Sequence, residues 1–98
     1  MIHLNVLLTV QDPANVEQVA GLLVECCRLS REEPGCARFE VYHSQADETR
    51  FVLNEHWESS EALDQHRQAQ AFTEIYTPQV LPLVTREPHP STLLEPSS

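Results

Sequence analysis

Residues 2–10 alternate. Ile2, Leu4, Val6, Leu8 and Val10 fall on one side, and His3, Asn5, Leu7 and Thr9 on the other, which is the period of two of a β-strand. Asp12-Pro13 then signals a helix start, with a side-chain oxygen to cap the first turn and proline where no N–H is needed. Val16, Val19, Ala20, Leu23, Cys26 and Cys27 recur at three- and four-residue spacing, and Leu22 and Leu29 widen the stripe. That spacing predicts one amphipathic helix over roughly 13–31. Glu33-Pro34-Gly35 ends it.

A second strand is expected over about 37–43, with Phe39, Val41 and His43 on one face. Polar residues 44–49 form a turn. In a third strand, 51–57, Phe51, Leu53, Glu55 and Trp57 share one face while Val52, Asn54 and His56 take the other. Ser59-Ser60-Glu61 reads as a capped helix start with an acid in the first turn. Ala62, Leu63, His66 and Ala69 mark that helix's apolar side. A further helical piece, 72–83, is interrupted by Pro78 and Pro82. Glu87-Pro88-His89-Pro90 reads as a rigid connector, 91–94 as a short last strand, and Pro96-Ser97-Ser98 as a frayed tail.

The predicted order, β-α-β-β-α-β, folds with short right-handed connections into an antiparallel sheet carrying both helices on one face. This is the ferredoxin-like α+β fold, in a single domain spanning 1–98. Large apolar groups on both faces of the first and third strands predict a second copy on the bare face, giving a dimeric α+β barrel.

Composition narrows the function. Six basic and fifteen acidic residues in 98 give a net charge of −9, which argues against a nucleic-acid partner. All the basic residues are arginine, so a Schiff-base lysine and a Walker-type phosphate loop are excluded. No run of apolar residues is long enough for a membrane span. Cys26, Cys27 and Cys36 form no CxxC pair, and adjacent helical cysteines point about 100° apart, so a reduced, cytoplasmic setting is expected.

Three stretches carry a resemblance. Glu33-Pro34-Gly35-Cys36-Ala37-Arg38-Phe39-Glu40-Val41, Phe51-Val52-Leu53-Asn54-Glu55-His56-Trp57-Glu58-Ser59 and Glu61-Ala62-Leu63-Asp64-Gln65-His66 followed by Phe72 resemble, in register, the antibiotic biosynthesis monooxygenase family. That resemblance implies a dimer with a pocket between sheet and helices. It also implies oxidation of an electron-rich aromatic, such as a quinol or phenol, by molecular oxygen without flavin, haem or metal, the substrate supplying the electrons. The alternatives are isomerisation or processing of a small oxygenated metabolite, as in autoinducer-type relatives, and a non-catalytic ligand-binding or stress protein.

His66 lies on the apolar side of its helix and belongs to the one side-chain type that ordinarily exchanges a proton near neutral pH. By resemblance it aligns with a pocket histidine and is the expected base. Asn5, unusual within a strand, aligns by resemblance with an asparagine that holds substrate or oxygen. Trp57, Phe72 and Tyr76 are the expected substrate-binding wall. Tyr76 stands where haem-degrading relatives place their iron-ligating histidine, which argues against haem. Glu55 is expected to pair across subunits with Arg38, Arg50 or Arg67, or to partner a catalytic histidine. His43 and His56 lie on separate strands that could bring them face to face, but no HxH or HExxH spacing supports a metal site.

Overall fold

In a computed structural model of the chain, which describes residues 1–96, the strands are β1 (Ile2–Val10), β2 (Cys36–His43), β3 (Arg50–Trp57) and β4 (Val84–Ser91). They form one antiparallel sheet in the order β2-β3-β1-β4. The helices are α1 (Val16–Ser30), α2 (Ser60–His66) and α3 (Ala71–Val80). This is the ferredoxin-like α+β arrangement. Ser97 and Ser98, part of the tail expected to be frayed, lie outside the described residues.

Period-two patterning places β1, β2 and β3. Leu4, Val6, Leu8 and Val10 on β1 join Phe51 and Leu53 on β3 under the helices, against Val19, Leu23 and Cys26 of α1. Phe39, Trp57, Ala62 and Leu63 form a smaller adjoining cluster at the α2 end. Caps fall where the sequence places them. Asp12 accepts from the Ala14 N–H at 3.0 Å, and Ser59 accepts from the Ala62 N–H at 3.1 Å. The first of these caps a short 3₁₀ turn, Pro13–Asn15, from which α1 continues.

The open face differs from expectation. Leu7 and Val52, which pair across β1 and β3, and Tyr42 on β2 are its apolar members. Around them stand His3, Asn5, Thr9, Arg38, Glu40, Asn54 and His56. So large apolar groups crowd one face of β1 and β3, and the other is mixed and mainly polar. His56 meets His3 edge-on, with ring centroids 4.4 Å apart. Desolvation, then His3 and Arg38, push the His56 imidazole below its ordinary value.

Two helical details differ as well. α2 stops at His66, before Ala69. α3 winds as a π-type helix, in which the Leu81 N–H reaches back to the Tyr76 carbonyl. Pro78 sits inside it, and the wider turn absorbs a residue that has no N–H to give and a ring that crowds a tighter one. The expected proline connector is instead part of β4, with Pro88 opposite Val6 and Pro90 opposite Leu4. β4 is an edge strand, and prolines two residues apart turn their nitrogens the same way, toward the free edge. Such prolines cost no ladder bond, and they blunt the edge against further pairing.

Candidate active site

The site lies between the sheet and the helices. Glu33-Pro34-Gly35 supplies its first part. Gly35 has φ 81°, and a Cβ there would collide with the Ala62 Cβ. Only glycine allows both the left-handed turn and the close seating of that turn on α2. The seating carries Glu33 to His66, whose Nδ1 lies 2.7 Å from Glu33 Oε1 with both side chains largely buried. An ionised carboxylate only accepts, so Nδ1–H donates and Nε2 is left as the acceptor of the neutral ring. Nε2 has no hydrogen bond of its own among the described residues.

Aromatic rings hold the imidazole in place. Its centroid is 4.4 Å from that of Trp57, 5.7 Å from Phe72 and 5.9 Å from Phe39. Trp57 in turn donates through Nε1 to Glu55 Oε1 at 3.0 Å. Glu55 is 5% exposed. Burial, the largest influence, pushes its carboxyl above the usual range, against the pull of the Trp57 hydrogen bond and of the neighbouring His66 and arginines. At the far side Arg86 of β4 donates through Nε to the Tyr76 hydroxyl at 3.0 Å. Burial also raises the Tyr76 phenol, and Arg86 opposes it.

These groups surround one cavity. Its walls include Leu23, Cys26 and Ser30 from α1, His66 and Leu63 from α2, Phe72 and Tyr76 from α3, and Glu55 and Arg86 from the sheet. The free space is about 20 Å³, room for a single water. An aromatic guest must therefore displace a side chain, and Phe72 is the wall aromatic with a half-exposed edge. Burial raises all three cysteine thiols, which favours the protonated, less nucleophilic form. Burial drives Cys26 up to about 12 and Cys36 to about 11.

Of the expected site residues, the structure brings together His66, Phe72 and Tyr76. Trp57 stands one layer back, as the support of His66 and the donor to Glu55, and is not part of the wall. Asn5 is not at the cavity, because odd positions of β1 face the open side. There it accepts from Asn54 Nδ2 at 2.7 Å and donates to Ser91 Oγ at 3.0 Å. Within the chain, the partner of Glu55 is the Trp57 N–H. Arg50 meets Asp47 and Arg67 meets Asp64. His43 stacks on Phe51 at 4.2 Å and does not face His56.

Sequence reading missed Glu33 and Ser30. Glu33 was legible only as a helix stop, since its meeting with His66 spans 33 residues. Ser30 continues the Leu23–Cys26 stripe at helical spacing, and that continuation was the available signal.

A model of the family described as antibiotic biosynthesis monooxygenase matches residues 1–77. Over 63 residues the chain is 32% identical to an uncharacterised protein of Synechocystis. That stretch is 64% of this chain and 43% of the relative, so the match spans less than half of that curated protein's length. Two crystal structures share the fold. One is a conserved protein of unknown function from Bacteroides thetaiotaomicron, described as a possible oxidoreductase, with 24% identity, 92% of this chain and 94% of that one covered, and a TM-score of 0.84. The other is an antibiotic biosynthesis monooxygenase, with 23% identity, coverage of 97% and 100%, and a TM-score of 0.87. At those identities the likeness speaks for the fold. Among the described residues no helix is long and apolar enough to cross a membrane.

Proposed function

The chain belongs to the antibiotic biosynthesis monooxygenase family, and from that premise we propose that it oxidises an electron-rich aromatic, a quinol or phenol, with molecular oxygen and no cofactor. The observation that carries this reading is the buried Glu33–His66 pair at a cavity walled by aromatic rings. His66 Nε2 takes the phenolic proton. Glu33 holds the ring in the right tautomer and stabilises the imidazolium that forms, the role a carboxylate plays behind a catalytic histidine generally. The phenolate gives one electron to oxygen, and the resulting radicals combine at a ring carbon bearing hydrogen. Loss of that hydrogen as a proton, with cleavage of the O–O bond, leaves a quinone and water. One phenol and one oxygen molecule are thus converted to one quinone and one water. Phe72 and Tyr76 flank the guest, and the tight walls keep water from the intermediates.

The protein is also proposed to act as a homodimer through the open face, with Leu7, Val52 and Tyr42 as its apolar centre. Light scattering at micromolar concentration tests that assignment, and a mass of 11.2 kDa would refute it. The activity is tested with an oxygen electrode and a panel of hydroquinones and phenols, in buffer free of metal and flavin. Stoichiometric oxygen uptake with quinone formation supports the reading. Product formed without oxygen uptake would favour isomerisation, and no turnover on any member would favour a binding protein.

A further inference from the structure

One polar atom of the cavity is unused by that chemistry. Ser30, in the last turn of α1, is wholly buried, and its Oγ is the buried side-chain oxygen or nitrogen without a hydrogen-bond partner among the described residues. A helical serine ordinarily satisfies its hydroxyl on the carbonyl one turn back. Ser30 does not, and it lines the cavity instead. The rest of the α1 wall is Leu23 and the neutral thiol of Cys26, already directed at the Ala71 carbonyl. With no protein partner, this hydroxyl is left to the single water the cavity can admit, and a guest whose own oxygen takes that place completes the hydrogen bond.

Position ties this hydroxyl to the base. The Glu33 N–H donates to the Ser30 carbonyl at 3.1 Å, so one turn carries both the hydroxyl and the carboxylate that orients His66. Charge narrows the guest further. No cation of the described residues pairs with a group on the α1 wall, and both arginines at the cavity are engaged elsewhere: Arg67 is half-exposed and meets Asp64, and Arg86, on β4 at the opposite edge of the sheet from β2, is held by Tyr76. The buried carboxyl of Glu55 adds no positive charge. A carboxylate or phosphate at Ser30 would therefore lack a counter-charge.

We propose that Ser30 Oγ is a specificity-determining contact that binds an uncharged oxygen, a phenolic hydroxyl or a quinone carbonyl, of an aromatic ligand in this cavity. The assignment rests on the quinol reading for its ligand class, but it concerns binding and requires no turnover.

Trp57 is the single tryptophan of the chain and packs against His66, with ring centroids 4.4 Å apart, so its fluorescence reports occupancy. The test titrates wild type and Ser30→Ala with menadione, 2-methylnaphthalene and 2-naphthoate, alongside thermal melts of both free proteins. Wild type is expected to bind menadione most tightly. Ser30→Ala should weaken menadione by about tenfold, the loss of one hydrogen bond, and leave methylnaphthalene unchanged. The same variant should melt no lower than wild type, because no protein–protein hydrogen bond is lost and alanine suits a helix. Equal weakening of both neutral probes, tightest binding of naphthoate, unchanged menadione affinity, no quenching by any probe, or a lower melting temperature would each overturn the assignment. Serine-dependent menadione binding without oxygen uptake would refute the proposed activity and leave this contact standing. Oxygen uptake with quenching indifferent to Ser30 would do the reverse.

Discussion

The two faces of the sheet are built from the same strands and carry opposite chemistry. Under the helices, Glu55 and His66 are sequestered among Phe39, Leu53, Trp57 and Phe72, and each has a single protein partner at its site. On the open side, Asn5, Asn54 and Ser91 form a short chain of hydrogen bonds, and His3 rests against His56. One residue of shift along a strand moves a side chain from one regime to the other. The covered side supplies a low-dielectric pocket in which a proton can be moved and water excluded. The open side supplies groups that remain solvated in the isolated chain. Function should therefore fail on one face and tolerate change on the other.

The largest expected effect tests that division directly. His66→Ala should reduce quinol-dependent oxygen uptake by roughly 10²- to 10⁴-fold, the range for a positioned acid–base group. Glu33→Gln keeps the contact but loses the charge behind the imidazole, and should give a smaller loss expressed in kcat more than KM. Uptake that survives His66→Ala would reduce the imidazole to a packing residue.

Stability gives a second contrast, between neighbours. Phe51 is 1% exposed on the covered face, whereas Val52 is half-buried on the open one. Phe51→Ala should cost about 3–5 kcal/mol by urea unfolding. Val52→Ala should cost under about 1 kcal/mol at concentrations where the chain is a monomer. A loss at Val52 that grows with protein concentration would place a second copy of the chain on that face.

Glu55 offers a pH signature of the covered side. Its folded carboxyl titrates above the unfolded value because burial disfavours the charge. The folded state therefore holds the proton more tightly, and stability falls as pH rises from the ordinary carboxylate range through the folded value. Glu55→Gln is uncharged at every pH and can still accept from the Trp57 N–H. Melts from pH 4 to pH 8 should show wild type losing stability, relative to Glu55→Gln, as pH rises. Parallel curves would mean that the carboxyl is solvated and ionised throughout.

The fold was legible because its signals are local. Strand alternation, the Asp12 and Ser59 caps and the glycine after Pro34 each act within a few residues. β4 was misplaced because proline was weighed as a strand breaker, while its tolerance at a sheet edge depends on a pairing that the sequence does not display. Half of the site was readable for the same reason. His66, Phe72 and Tyr76 follow one another along α2 and α3, but Glu33 reaches His66 only through tertiary packing of the turn on Ala62. Asn5 was assigned to the site by resemblance even though the alternation of β1 already separated it from Leu4 and Val6. Strand parity was the stronger evidence.

That parity yields the smallest expected effect. Asn5→Ala removes the acceptor of the Asn54 amide and the donor to Ser91. In the isolated chain Asn5 and Asn54 are only half-buried and Ser91 is exposed, so at concentrations where the chain is a monomer solvent replaces most of what is lost. The cost should be about 1 kcal/mol or less in urea unfolding. Oxygen uptake, menadione affinity and the pH dependence set by Glu55 should all match wild type, because the backbone of β1 stands between this residue and the cavity. A fall in kcat of tenfold or more with unchanged stability would break the comparison. It would mean that the open face takes part in turnover, and that the resemblance which marked Asn5 outweighs the strand geometry that sets it apart.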